Sequence, residues 1–205
     1  MNEKRTRTSM IAIYLTGLLA LSPASSFAQN ATSFSGEAVG LKASALGVSL
    51  DLADTGALPS SGGSLGTSLA SVNVAGIASA HALSSSASGS GSTSQSQSSL
   101  AEVNVQNGLV AATAVKSTSS ATCSGSTAST SGNAQLVGLT VAGQSILVSN
   151  PNLSISLPGG ITVVINQQTS SSGGSSGSIT VNAIHVTGPS LDIVVASAQS
   201  DITCS

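Results

Sequence analysis

The sequence predicts an all-β domain: an antiparallel β-sandwich or barrel-like sandwich of ten to twelve short strands, with a β-solenoid as the alternative. Three observations carry this expectation. Aliphatic residues alternate with Ser, Asn and Asp in short runs such as Gly47–Leu52, the period-two pattern of a half-buried strand. Those runs recur about every 10–15 residues, separated by Gly, Ser, Asn or Pro, the residues of tight turns. No window keeps apolar residues at helical spacing through three turns, and Gly and β-branched residues are frequent, which disfavours helices. One internal echo, Ser68–Val74 against Ser99–Val105, gives two copies where a solenoid needs about three or more at fixed period.

Along the chain, Val39–Ala43 and Leu46–Leu52 open the domain, and Pro59–Ser64 reads as a loop. Leu69–Val74 and Ile77–Leu83 follow. Ser84–Ser99 is nearly pure Ser, Gly and Gln, which fits either a flexible loop or a long exposed strand pair. Leu100–Val105 and a return strand from Leu109 towards Cys123 form a hairpin around Asn107 and Gly108, two residues that tolerate the positive φ of a type I′ turn. Ser124–Gly132 is a polar connection. Short strands at Leu136–Val141, Ile146–Val148 and Leu153–Leu157 are broken by Ala142-Gly143 and Asn150-Pro151. Pro158–Gly160 turns into Ile161–Ile165, Thr169–Ser178 reads as a Ser/Gly loop, and Ile179–Val186 and Leu191–Cys204 close the domain.

The N-terminus reads as an address. Lys4, Arg5 and Arg7 precede an apolar run, Met10–Leu21, and small residues stand at Ser26 and Ala28. A basic head, a short apolar middle and a small-x-small exit predict a secretory signal peptide over 1–28, cleaved after Ala28. The run is about 12 residues, short of the roughly 20 needed to span a bilayer. The expected mature chain, Gln29–Ser205, forms a single exported all-β domain and has only Lys42 and Lys116 as cations. Against them stand Glu37, Asp51, Asp54, Glu102, Asp192 and Asp201, a formal net charge of −4. With no basic patch, and Phe34 as its one aromatic, neither nucleic acid nor insertion into a membrane is expected. The partner is read as an unknown extracellular or cell-surface component, with self-association as a further possibility.

Cys123 and Cys204 are the only cysteines, and two in an exported chain predict one disulfide. Candidates for chemistry are few. Asp54-Thr55-Gly56-Ala57, preceded by Leu50–Ala53, looks like the catalytic turn of aspartic peptidases. There two adjacent carboxylates share a proton because both cannot ionise, so a single copy needs a dimer to supply the twin. The same string is also a plain turn signal, with Asp54 bonding backbone amides. Asp51 and Asp54, with Glu37, are candidates for Ca²⁺, although no acidic-x-acidic-x-acidic loop is present. No cofactor is expected. His81 and His185 sit mid-strand, and no Gly-x-Ser-x-Gly elbow accompanies them. Asn30 and Asn152 fit the N-glycosylation sequon.

Several segments together resemble the choice-of-anchor P proteins of bacteria. They are Phe34–Leu41, Leu52–Pro59, Ala121–Cys123, Ser156–Asn166, Ser178–Val186 and Ile193–Cys204, in order across almost all of the expected mature chain. The resemblance implies an exported domain without assigned activity, and its recurring cysteine positions match Cys123 and Cys204. Members carry varied C-terminal sorting signals; this sequence ends one residue after Cys204 without a sorting motif or apolar tail, so release outside the cell or into a periplasm is expected. The functional expectation is a non-enzymatic, exported structural or interaction domain. The alternatives are an aspartic-peptidase-like enzyme using Asp54, or a protein that binds ice or a polymer surface.

Overall fold

A computed structural model describes residues 31–45, 47–148 and 150–205. The leader read over residues 1–28 and the sequon at Asn30 lie outside the described residues. Thirteen strands make the fold: β1 (Ala31–Ala45), β2 (Val48–Asp54), β3 (Gly63–Val74), β4 (Ala78–Ser90), β5 (Thr93–Val105), β6 (Val110–Ser124), β7 (Thr127–Val137), β8 (Thr140–Val141), β9 (Gln144–Ser145), β10 (Leu153–Leu157), β11 (Ile161–Gly173), β12 (Ser176–Gly188) and β13 (Leu191–Cys204). They form two antiparallel sheets, one ordered β10-β11-β12-β13-β1-β2 and the other β3-β4-β5-β6-β8-β9, with β7 also paired to β6. In the stack, β1 and β13 lie over β4 to β6, and β11 and β12 lie over β7. The result is the expected sandwich, without closure into a barrel. The chain meanders through each sheet, and the last strand returns to pair with the first along almost its whole length.

Strand number and length correct the sequence reading. Nine strands run 11–15 residues. The added length comes from serine-rich stretches that lack an apolar signature. Ser84–Ser99 is a strand pair rather than a loop, and it is not wholly exposed: Ser85, Ser94, Ser96 and Ser98 point inward and are buried. Ser124–Gly132 and Thr169–Ser178 are hairpins as well. Their two-residue turns, with Gly91, Gly125 and Gly174 each at positive φ in first place, have the glycine that such turns demand. The turn at Asn107-Gly108 is longer than a two-residue type I′ turn. Val105 pairs with Val110, Gln106 through Gly108 all take positive φ, and the Gly108 amide donates to Asn104 Oδ1 at 2.7 Å. Ile146–Val148 is not a strand.

Each sheet is crossed by a row of irregular positions. At one level the register skips Asn166, Ala183, Ala196, Gly40 and Ala53 across β11, β12, β13, β1 and β2. The facing sheet skips Ala70, Ala82, Glu102 and Thr113 in the same way. An extra residue flips the side-chain alternation, and it does so here. In β13, Ile193 and Val195 are buried below the row, and Ala196, Ala198, Ser200 and Ile202 from the row upward.

The rows divide the interior into two halves. One is aliphatic, built on Leu41, Val103, Val105, Val110, Val163, Ile165, Ile184, Val186, Ile193 and Val195. In the other, the inner face of β4 to β7 carries mostly small side chains, Ser85, Ala87, Ser96, Ser98, Ser117, Ser119 and Ala121 among them, against larger residues of the facing sheet such as Ile179 and Val181. Ser85 and Ser98 hydroxyls meet at 3.1 Å, those of Ser119 and Ser200 at 2.8 Å, and Ser94 Oγ donates to the Ser35 carbonyl at 2.9 Å. A Cβ at Gly132 would collide with Val181 and stand 2.8 Å from Ile179 Cδ1, and one at Gly36 would stand 3.0 Å from Ser96 Oγ. Glycine on one sheet therefore receives a larger side chain from the other. At the far end the Cys123–Cys204 disulfide ties β6 to β13, Cα to Cα 5.6 Å, within a cluster of Ala121, Ala128, Ile202 and Phe34.

The disulfide closes a loop with a sequence separation of 81, worth about 4–5 kcal/mol in the chain-entropy model. Cys204→Ser is expected to lower the urea midpoint by that amount divided by m, and the intact oxidised chain to weigh about 2 Da less than the reduced one. The serines separate into two groups. Ser96 Oγ is buried with no hydrogen-bond partner within the protein, so Ser96→Ala is expected to be neutral or stabilising. Ser200→Ala leaves the buried Ser119 hydroxyl without its partner and is expected to cost about 1–3 kcal/mol. Equal destabilisation by the two variants in urea melts would contradict this account of the interior.

Candidate functional site

The outward positions of β4 to β7 follow from the same alternation that buries their serines. Row by row, Ser88, Gln95, Ser120 and Ser131 are register partners, and the next row is Ser86, Gln97, Thr118 and Asn133. Together they line a shallow groove of ≈ 430 Å³ in the outer face of the sheet. Every side chain in both rows offers hydroxyl or amide groups, and none is charged or aromatic. Thr118 Oγ1 donates to the Asn133 carbonyl at 3.2 Å, and the Thr122 and Ser129 hydroxyls are 2.8 Å apart. Groups of this kind both donate and accept, so the face suits a neutral, hydrogen-bonding surface. The polar Ser84–Ser99 stretch was the sequence signal for it; the long β4–β5 hairpin turns that composition into a grid.

Asp54 ends β2. Its Oδ1 accepts the Gly56 amide at 2.8 Å, while Thr55 Oγ1 accepts the Ala38 amide at 3.0 Å and donates to the Gly56 carbonyl at 2.9 Å. This is an Asx-type turn, and among the described residues no hydrogen bond joins Asp54 to a second carboxylate. Asp51 is exposed two register pairs along, opposite Lys42. Glu37 faces Lys42 at 3.4 Å instead of the two aspartates. Among the described residues no group of three or more His, Cys, Asp or Glu is placed to hold a metal ion.

The two histidines differ. His81 Nε2 lies 3.9 Å from Glu102 Oε2 on an exposed surface, a pair of little energetic weight. His185 belongs to a polar network that sequence reasoning missed. Its Nδ1 is 2.9 Å from Gln167 Oε1, its Nε2 is 3.1 Å from Asp192 Oδ1, and Asn182 Nδ2 donates to Gln167 Oε1 at 2.9 Å. The four residues lie on β11, β12 and β13 and meet only through register, His185 opposite Val164 and Val194. Both ring nitrogens face an oxygen acceptor, which leaves neither for a serine nucleophile. The arrangement is a surface brace across three strands.

Compared with protein-family models, with curated proteins and with solved structures, the chain matches none.

Gln167 Oε1 serves two donors at once, so Gln167→Ala is expected to cost about 1–2 kcal/mol. His81→Ala is expected to stay within about 0.5 kcal/mol of the parent. Urea denaturation of both variants checks the pair, and a larger loss at His81 would overturn the distinction.

Proposed function

We propose that this chain is a non-enzymatic exported domain with a structural or interaction role at the cell exterior, of the choice-of-anchor P kind. The observation that carries the proposal is the uncharged hydroxyl and amide grid on the outer face of β4 to β7. A neutral grid that both donates and accepts matches a neutral, hydroxyl-rich partner, such as a polysaccharide or other surface polymer. It offers nothing to a polyanion, whose recognition needs fixed positive charge. The disulfide is compatible with an oxidising compartment. Asp54, the one residue with a catalytic resemblance, spends its carboxylate oxygen on a backbone amide, which fits a turn better than a peptidase centre.

Fractionation of the producing cells tests the reading. The processed protein is expected in washed-surface or detergent-insoluble material. A Gln97→Lys, Asn133→Lys double variant places two charges in the groove, and is expected to move to the soluble fraction with an unchanged melting temperature. Wild-type protein recovered wholly as free soluble material would sink the proposal.

A further inference from the structure

We infer that one partner of this domain is a second copy of the same chain, joined by antiparallel pairing of β3 with β3 about a two-fold axis at Thr67. The inference rests on the interaction-domain reading above.

The strand edges of the sandwich are unequal. β2 carries Asp51 and Asp54, and charges on an edge discourage further pairing. β9 and β10 have two and five residues. β3 is 12 residues long, pairs with β4 alone, and contains neither a charge nor a proline. Its second side presents backbone groups that only another strand satisfies in series. β7 is also uncharged and paired on one side, but its large apolar residues, Leu136 and Val137, sit together at one end. An antiparallel two-fold along β7 sets them against Ala128 and Thr127 when centred on Gly132, and brings them together only by pairing the strand tips.

β3 is self-complementary. With Thr67 opposite Thr67 of the other copy, Leu65 falls opposite Leu69 and Leu69 opposite Leu65. These three residues share the inner face, since their partners in β4 are Ala87, Ser85 and Leu83. Leu69 is 38% exposed, one of three large apolar side chains so exposed among the described residues, and Leu65 is half-buried. Cross-strand apolar pairs of this kind stabilise a ladder. On the outer face the same register sets Gly66 against Ser68 and Ser64 against Ala70, so the polar face continues across the join. The irregular row at Ala70 ends the regular stretch and confines the pairing to Ser64–Ala70. A two-fold contact of this type closes on itself and gives a dimer, not a fibre.

Sedimentation velocity on the oxidised protein, across a hundredfold range of concentration, tests the inference. The wild type is expected to form a dimer. Thr67→Lys places two ammonium groups opposite each other at the axis and is expected to weaken association at least tenfold. Ser68→Lys, on the exposed face, serves the same purpose if Thr67→Lys lowers the melting temperature. Thr67→Cys is expected to give a symmetric disulfide dimer under oxidation, and Ser131→Lys on β7 is expected to leave the dimer intact. A wild type that stays monomeric, or a dimer that survives both β3 lysine variants, overturns the inference. A monomer still retained at the cell surface fails this inference alone, whereas a dimer released freely into the medium fails the polymer-binding reading alone.

Discussion

The close approach of the two sheets in the small-residue half is the constraint on which the rest of the structure depends. Sheets normally pack about 10 Å apart, with large side chains interleaved. Here one inner face is Ser, Ala and Gly, and the opposing side chains reach into the space that glycine leaves. Val181 and Ile179 lean on Gly132, Thr130 on Gly177, Phe34 on Gly89 and Ser96 on Gly36. Such a contact leaves serine hydroxyls little route to solvent: Ser85 and Ser98, and Ser119 and Ser200, bond one another and Ser94 bonds the Ser35 carbonyl across the gap, while Ser96 and Ser117 stay without a partner within the protein. The Cys123–Cys204 bond sits at the end of this half, beside Ile202 and Phe34. The two backbone amides of the bonded cysteines also donate to turn carbonyls, Cys123 to Ser92 at 2.8 Å and Cys204 to Ser175 at 2.7 Å.

The irregular rows let a single long strand serve two different interiors. Without a skipped residue, a fifteen-residue strand would carry one alternation from end to end. Ala53, Ala82, Glu102, Asn166 and Ala196 take positive φ inside strands, a conformation that costs non-glycine residues about 1–3 kcal/mol each. The cost recurs in both sheets at matched strand positions. The skip changes inward parity in β13 from odd to even numbers and in β6 from even to odd, so each half keeps its own filling. On the outer surface Gln167 and His185 meet across the row, and His185 reaches diagonally to Asp192, where the polar brace forms.

The fold class was legible because aliphatic alternation survives in the aliphatic half: Val48–Leu52, Val103–Val105, Ile161–Ile165 and Ile184–Val186 all fall within strands. The serine half was not legible in the same way. A strand whose inward positions are Ser94, Ser96 and Ser98 has no hydrophobic period, and its composition is that of a linker. Its burial follows from strands of the facing sheet that are distant in sequence, β1 (Ser94 to Ser35 spans 59 residues) and β13. Of the singled-out side chains, the cysteine pair was readable because two cysteines allow only one bridge. Asp54 was readable as a turn from its Thr-Gly context. His185 was visible, but its companions Gln167, Asn182 and Asp192 come together only through the register of three strands, which no local spacing encodes.

The pairing of β1 with β13 has a temporal consequence. β1 is a central strand, and the neighbour that completes it, β13, is made only after the whole of the opposite sheet. Ala31–Ala45 must wait for Leu191–Cys204, with the whole of the opposite sheet synthesised in between. Contacts of such long sequence span are the slow ones in folding, because loop closure precedes their reward. β2 alone can pair with the first strand early, and a two-stranded hairpin is at best marginal in water. Completion of the sheet that holds β1 therefore waits until Leu191–Cys204 has been made and Cys204 is present to be oxidised.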